Sequence, residues 1–196
     1  DGYIADSAVP VDLSGNPDIL KAAEHALAAA IDLAKPGVTT GELGAAIEES
    51  IRSYNLNPIT NLTGHGLSQY EAHDGPVVPN RRVEGGAVLR EGDVLAIEPF
   101  ATNGAGSVHD GNWAEIYSLI RKKPVRMPAV RNVLKQIEEY RELPFAKRWL
   151  ESDRLEFALI QLEKAGILHS YPVLLESAGG LVAQAEHTII ITQDGC

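Results

Sequence analysis

The sequence predicts an α+β fold, because helical and strand patterns are segregated along the chain and do not alternate as βαβ units. An alanine-rich helical stripe comes first, and segments rich in glycine, proline and β-branched residues follow it. Two further helical stripes are nested within that strand-rich part. The chain has 196 residues, of which 44% are apolar, so it can bury a core and is not a disordered segment.

The N-terminal part predicts a strand, a turn and two helices. Residues 3–13 alternate weakly, and the turn residues 14–17 end in Asn16 and Pro17, which are typical of a helix start. Apolar and alanine positions over residues 18–34 form one helical stripe, which ends before Gly37. A second helix is expected after Thr39, with one apolar face. That face is formed by Leu43, Ile47, Ile51 and Tyr54.

The remainder predicts loops, strands and a helical block. Residues 58–90 are rich in glycine and proline, and residues 94–100, 114–120 and 181–192 have strand character. Between the last two strands, two apolar stripes recur at helical spacing. The first consists of Val130, Val133, Leu134 and Ile137, and the second of Leu155, Leu159, Leu162 and Ile167.

Charge separates this helical block from the rest of the chain. Residues 121–176 contain 11 Lys/Arg and 8 Asp/Glu, a net charge of +3, whereas the whole chain carries −10. The remaining residues therefore carry −13. We expect residues 122–176 to form an insertion within a body made of residues 1–121 and 177–196.

Composition excludes several classes of protein. The single cysteine, Cys196, cannot form an internal disulfide, and a cysteine-based zinc site is excluded. No apolar run is long enough for a membrane span, and no signal-peptide pattern is present. The chain begins with Asp1, and its only methionine is Met127, so we expect a processed or truncated chain in a cytoplasmic, reducing setting.

Acidic residues interrupt three of the predicted strands. Glu98 shares a face with apolar neighbours, Glu186 lies on the face of Gln184, and Asp6 lies between apolar and small residues. An ionised carboxylate among such neighbours is costly unless it is paired, hydrogen-bonded or bound to a metal. For any one acid, an edge strand with a solvated side chain is the simpler explanation, but three such strands favour a shared site.

Two histidines accompany the acids. His65 lies between Gly64 and Gly66, which permit unusual backbone angles or close approach, and His73 follows in the next segment. Carboxylates with an imidazole suit divalent Mn, Fe, Co or Zn. A pair of such ions activates water for hydrolysis. A loop histidine bonded to backbone is the alternative for His65. No serine-nucleophile elbow or phosphate-binding glycine loop is present.

Four segments in the same order resemble type II methionine aminopeptidases, particularly the archaeal branch. They are residues 1–8 (DGYIADSA), 64–67 (GHGL) with His73, 96–102 (AIEPFAT) and 183–188 (AQAEHT). The resemblance extends over essentially the whole chain. It implies a pita-bread (creatinase/aminopeptidase) fold with a helical, winged-helix-like insertion, and removal of N-terminal methionine from nascent proteins when the second residue is small.

The resemblance also assigns roles to residues. It implies that Asp6, His65, Glu98 and Glu186 are ligands of two divalent metal ions of undetermined identity, and that Glu98 is the catalytic base. His73 would contact substrate and stabilise the tetrahedral intermediate by about 3 kcal/mol. Tyr171 would line the methionine pocket.

One departure concerns the start of the chain. In the family, the first metal-binding aspartate lies several residues before the position of Asp1, and a second substrate-contacting histidine lies further upstream. The resemblance therefore implies a fold that is incomplete at its N-terminus, a metal that lacks one ligand, and a chain that is expected to be inactive as given.

Two alternatives and several partner expectations stay open. A prolidase-like or aminopeptidase P-like peptidase shares the fold, as do non-catalytic modules that bind nucleic acid or protein. The net +3 insertion leaves contact with the ribosome open, although interleaved charges are more typical of a solvated surface. We expect a monomer with no membrane partner and no specific nucleic-acid binding.

Overall fold

A computed structural model describes residues 1–13 and 15–196; Ser14, part of the predicted turn, lies outside the described residues. The helices are α1 (Pro17–Leu33), α2 (Thr40–Ser53), α3 (Pro128–Ile137) and α4 (Leu155–Lys164). The strands are β1 (Ser7–Ala8), β2 (Asn57–Pro58), β3 (Thr63–Ser68), β4 (Glu71–Pro79), β5 (Val94–Ile97), β6 (Phe100–Thr102), β7 (Val108–Leu119), β8 (Phe145–Ala146), β9 (Leu168–Glu176), β10 (Val182–Gln184) and β11 (Glu186–Ile190). The predicted α+β class is confirmed.

The chain divides into two compact units. The smaller unit comprises Asp1–Gly2, Tyr70–Ala72 and Asp110–Leu174, and the larger unit comprises Tyr3–Gln69, His73–His109 and Leu175–Cys196. Most of the predicted insertion, residues 122–174, falls within the smaller unit. The limits of that insertion as a separate domain stay a prediction.

The larger unit packs its two helices on mainly antiparallel sheets. A five-stranded sheet has the order β1-β11-β5-β3-β4, and a three-stranded sheet has the order β10-β6-β2. Buried alanines along α1 keep the helix close to its neighbours, because they add little bulk. A capping box starts α2: the Glu42 N–H donates to the Thr39 hydroxyl at 3.2 Å, and the Thr39 N–H donates to the Glu42 carboxylate at 2.7 Å.

The smaller unit has its own hydrophobic core. A three-stranded sheet of order β8-β7-β9 belongs mainly to this unit, as do α3 and α4. The two predicted apolar stripes are confirmed, because Val130, Val133, Leu159 and Leu162 are all buried in one cluster. Phe145 is buried in the same cluster and stacks on Tyr140, with ring centroids 5.4 Å apart.

Three predicted strands are shorter or interrupted. Residues 94–100 form β5 and the start of β6, with a break at Glu98 and Pro99, because proline has no N–H to donate to a ladder. Residues 181–192 contain β10 and β11, with a break at Ala185. The weakly alternating residues 3–13 form only β1, which ends before Pro10.

These breaks move the chain from one sheet to the other. The ladder between β5 and β11 pairs Ile97 with His187, and the ladder between β6 and β10 pairs Phe100 with Gln184. Between the two ladders, the Ala185 N–H donates to the Pro99 carbonyl at 3.3 Å. The segment of residues 94–102 and the segment of residues 182–190 therefore pass between the five-stranded and three-stranded sheets at neighbouring positions.

Among the residues described, no helix combines the length and apolar character needed to cross a bilayer.

Glu176 links the loop after β6 to the loop before β10 through hydrogen bonds. Its carboxylate is buried and accepts the N–H groups of Gly180 at 2.9 Å, Ala178 at 2.7 Å and Gly106 at 3.1 Å. A side chain at Gly104 would collide with this carboxylate. These backbone hydrogen bonds, that of Gly180 foremost, lower the pKa of Glu176.

We predict that Glu176→Gln lowers the free energy of unfolding at neutral pH, because an amide offers fewer acceptor sites to these donors. The folded wild-type carboxyl has the lower pKa, so its contribution is present above the ordinary carboxyl pKa and is lost as pH falls through the lowered value. Urea unfolding across acid pH should show a weaker acid dependence for the variant. Equal stability and equal acid dependence would contradict this role, with the exposed Glu49→Gln as control.

Candidate metal site

Four predicted ligand residues meet where the strands of the larger unit change sheet. One ligand atom each of Asp6, His65 and Glu186 lies within 4.8 Å of the other two. The Nε2 atom of His65 also lies 3.4 Å from Oε1 of Glu98. His65 and Glu186 are buried, and Asp6 and Glu98 are half-buried. The structure thus brings together side chains that are up to 180 positions apart in the sequence.

His65 lies in β3, where the backbones of neighbouring strands pass very close. A side chain at Gly64 would come within 2.4 Å of the Ala96 carbonyl oxygen. A side chain at Gly66 would collide with the Gly75 carbonyl. Neither glycine has a left-handed backbone, so close approach, and not unusual backbone angles, explains the two glycines around His65.

The tautomer of His65 leaves one ring nitrogen directed at the acids. Its Nδ1 lies 3.0 Å from the Gly66 carbonyl oxygen, which can only accept, so Nδ1 carries the proton. In the neutral form of the ring, the nitrogen that carries the lone pair is then Nε2, which lies 3.4 Å from Oε1 of Glu98. Two lone pairs at 3.4 Å repel unless a proton or a metal ion lies between them.

Asp6 and Glu186 are positioned by hydrogen bonds and strand register. The Thr188 hydroxyl accepts the Asp6 N–H at 2.7 Å and donates to the Asp6 carbonyl at 2.8 Å. The adjacent register pairs Ser7 with His187 and Ala8 with Glu186. Residue 6 is therefore fixed on the strand that carries Glu186.

Gln184 is a site residue to which the sequence analysis assigned no role. Its Nε2 donates to Oε2 of Glu98 at 3.2 Å and lies 3.4 Å from Oε2 of Glu186. The amide thus spans two carboxylates on adjacent segments. Its position two residues before Glu186, on the same face, was the available signal.

The acids perturb one another. Burial first, then the charges of Glu186 and Asp6, raise the pKa of Glu98 to about 8. Burial, followed by the charge of Asp6, raises the pKa of Glu186 to about 7. Without a bound cation, Glu98 is therefore largely protonated at neutral pH, and Glu186 exchanges its proton near neutral pH. A divalent ion would replace those protons, so the donor set fits an oxygen-rich site with one imidazole.

His73 lies beside the candidate ligands. Its ring centroid is 4.4 Å from that of His65, and the side chain is in β4. Burial and then the neighbouring His65 lower the pKa of His73, so its imidazole is neutral at neutral pH and offers one N–H donor.

Tyr171 belongs to the smaller unit. Its hydroxyl lies 3.2 Å from the Ser118 hydroxyl, and its ring meets His169 edge to face at 4.7 Å. Its assignment to a methionine pocket stays a prediction.

Comparison with known proteins identifies relatives over the full chain. Residues 1–193 match the sequence profile of Metallopeptidase family M24. The chain is 50% identical over 196 residues to the methionine aminopeptidase of Archaeoglobus fulgidus, covering 100% of this chain and 67% of that protein. It is 49% identical to the methionine aminopeptidase of Pyrococcus horikoshii, covering 99% of this chain and 68% of the relative. The chain thus spans about two thirds of the length of these relatives.

Solved structures confirm the predicted pita-bread fold. A thermophilic Arx1 matches with a TM-score of 0.76 at 18% identity, covering 95% of this chain and 60% of the other. The methionine aminopeptidase of Thermotoga maritima matches with a TM-score of 0.61 at 24% identity, covering 99% and 57%. At these identities the likeness concerns the fold alone.

We predict that Glu98→Gln raises the melting temperature of the metal-free protein near neutral pH. The folded carboxyl has a pKa raised from 4.5 to about 8, so the wild-type protein loses stability as pH rises through that interval. The glutamine amide does not ionise, so the variant does not lose stability in this pH interval. Calorimetry with a chelator present measures the effect, and the exposed Glu91→Gln serves as control. A lower melting temperature for Glu98→Gln than for the control would be inconsistent with the repulsion described here.

Proposed function

Because the chain belongs to Metallopeptidase family M24, we propose that it carries the catalytic activity of a methionine aminopeptidase. In a protein completed to the length of these relatives, this chain supplies the residues that hydrolyse the peptide bond after the N-terminal methionine of nascent chains whose second residue is small. The observation that carries this proposal is the convergence of Asp6, His65 and Glu186, with Glu98 against His65, in a chain 50% identical to a methionine aminopeptidase. Nascent chains are made in the cytoplasm, so the proposal places the protein there. A monomeric state stays a prediction from the sequence.

Family membership implies that the protein uses divalent metal. The finer proposal is two ions, held by Asp6, His65, Glu98 and Glu186. Each carboxylate has two oxygens and can therefore link neighbouring ions, and the single imidazole suits Mn, Fe, Co or Zn. Bound divalent ions supply Lewis-acid polarisation of the scissile carbonyl and lower the pKa of water. Metal analysis of the completed protein tests the number, and one ion per molecule would exclude the pair.

Glu98 is proposed as the base that takes a proton from the attacking water. Opposite charge nearby lowers a carboxyl pKa, so Glu98 ionises when the site is loaded. Gln184 donates to Oε2 of this carboxylate at 3.2 Å, while Oε1 faces His65. The proton can then pass to the departing amine, which is the usual return step of a general base.

His73 is proposed to donate a hydrogen bond to the substrate carbonyl oxygen. Its imidazole is neutral because burial and His65 lower its pKa, and a neutral ring donates from only one nitrogen. A donor that strengthens its bond as negative charge develops accelerates acyl transfer. Tyr171 is proposed to line the methionine side-chain pocket.

The protein completed to the length of its relatives should prefer a Met-Ala-Ser peptide to an Ala-Pro peptide. The identity to methionine aminopeptidases favours this over a prolidase-like or aminopeptidase P-like activity of the same fold. Comparing kcat/KM for the two peptides with Mn²⁺ or Co²⁺ present distinguishes these activities. A higher value for the Ala-Pro peptide would refute the substrate assignment. Absence of any stoichiometric divalent ion would instead support a non-catalytic binding module.

In the completed protein, replacing Glu98 by Gln should abolish most turnover while the peptide still binds. Loss of a general base typically lowers rates by about 10²- to 10⁴-fold. Steady-state kinetics and peptide-binding calorimetry separate the two effects, and Glu91→Gln is a matched control on an exposed acid. Near-normal turnover by Glu98→Gln would exclude its assigned role as base.

Contact with the ribosome is part of the proposal. Residues 121–137 contain six Lys/Arg and no acid, although the chain as a whole carries −10. Arg126, Arg131 and Lys135 of this segment are exposed, and the last two lie one turn apart on α3. Such a surface attracts the phosphates of RNA through sequence-independent charge interactions.

Changing Arg126, Arg131 and Lys135 together to Glu should reduce co-sedimentation with ribosomes and its dependence on salt. A control variant changes three exposed cations of the larger unit, Lys21, Lys35 and Arg90, and alters net charge equally. If the first variant co-sediments as the wild-type protein does, or if both variants lose co-sedimentation equally, the proposal of ribosome contact through this surface is refuted.

A further inference from the structure

Asn80 is a fully buried polar residue that directly follows β4. Its Nδ2 donates to the Leu62 carbonyl at 3.1 Å and to the Glu98 carbonyl at 3.2 Å. Its Oδ1 is buried and has no hydrogen-bond partner among the residues described. Both contacts of Nδ2 are to oxygens that only accept, so the reverse orientation of the amide is excluded.

The two carbonyls that Asn80 joins lie on strands that carry site residues. Leu62 immediately precedes β3, which contains His65, and Glu98 immediately follows β5. The ladder between these strands pairs His65 with Ala96 and Gly66 with Leu95. Glu98 lies beyond that ladder. The Asn80 amide therefore binds the Glu98 carbonyl just past the end of β5.

Asn80 itself is fixed from the other side by α2. Gly44 packs against the backbone on both sides of Asn80, and a side chain there would come within 2.4 Å of the Arg81 carbonyl oxygen. The Arg82 N–H also donates to the Glu48 carboxylate at 2.8 Å. The backbone on either side of Asn80 is therefore held against α2.

We propose that Asn80 is a positioning residue that sets the separation of Glu98 from His65, and hence the geometry of the metal site. This inference rests on the proposed function and adds to it a residue outside the ligand set. A buried amide with an unpartnered oxygen is costly to stability. Asn80 therefore stabilises the fold less than a fully hydrogen-bonded amide would. Its two donated bonds nevertheless hold the backbone of Glu98 to that of Leu62.

Asn80→Leu separates positioning from stability. Leucine has a similar volume and removes both the unpartnered oxygen and the two donated bonds. The Leu62 and Glu98 carbonyls then lose a donor, so the variant is compared with a control that also loses two buried hydrogen bonds. Asn80→Ser is a second variant, in which one hydroxyl can reach only one of the two carbonyls and an intermediate effect is expected. Thr102→Val is the matched control: Thr102 is also fully buried, and its hydroxyl donates to the Leu181 carbonyl at 2.7 Å and accepts the Gly104 N–H at 2.9 Å, on the three-stranded sheet.

The first readout is Co²⁺ binding. Titration calorimetry should show a dissociation constant raised by about 10- to 100-fold in Asn80→Leu, as for the loss of an outer group that orients a metal ligand. The visible absorption of the Co²⁺ protein, which reports ligand geometry, should change as well. Thr102→Val should retain wild-type affinity and spectrum at comparable loss of stability.

The second readout needs no metal. The ¹⁵N signals of the His65 ring in the metal-free protein should move in Asn80→Leu and stay in place in Thr102→Val, because the ring faces the Glu98 carboxyl. Unchanged ring signals and Co²⁺ affinity in a folded Asn80→Leu or Asn80→Ser variant would overturn the proposal. A wild-type protein that binds no Co²⁺ would overturn the proposed function instead, and the ring signals would still decide the role of Asn80.

Discussion

Repulsion among three buried or half-buried carboxylates is the interaction on which the rest of the site depends. Asp6, Glu98 and Glu186 converge where two antiparallel segments leave one sheet for the other. Without a cation, burial and like charge raise the pKa of Glu98 to about 8 and that of Glu186 to about 7. The fold therefore stores an unfavourable charge arrangement that protons relieve in part and a divalent ion would offset more fully.

The backbone around the site is arranged to hold these charges close together. Gly64 and Gly66 allow three strands to approach more closely than any side chain would permit, which brings His65 to the acids. Gln184 spans two carboxylates, and Asn80 holds the backbone of Glu98 to the start of β3. Charge repulsion would spread these segments, and hydrogen bonds from neutral amides oppose that movement without adding charge.

Much of this arrangement could be predicted from the sequence, because helical stripes and acids inside strands are local signals. The helices and the three acids were singled out on that basis, whereas the full ligand set with His65 was what the family resemblance implied. The breaks at Pro99 and Ala185 were not, since periodicity along one segment does not show which segments pair or where they change sheet. Asn80 gave no signal either, because an asparagine after a strand is typical of a turn. Its burial arises only from packing against α2.

Thermal unfolding of the chelator-treated chain during titration with Mn²⁺ tests most directly whether these carboxylates form a cation site. An ion that binds only the folded protein raises its melting temperature according to its affinity. A cation site at these carboxylates predicts a rise that saturates at stoichiometric Mn²⁺ in the wild-type chain and in Glu91→Gln, and that is largely lost in Glu186→Gln. An unchanged melting temperature in the wild-type chain, or an equal rise in Glu186→Gln, would contradict it.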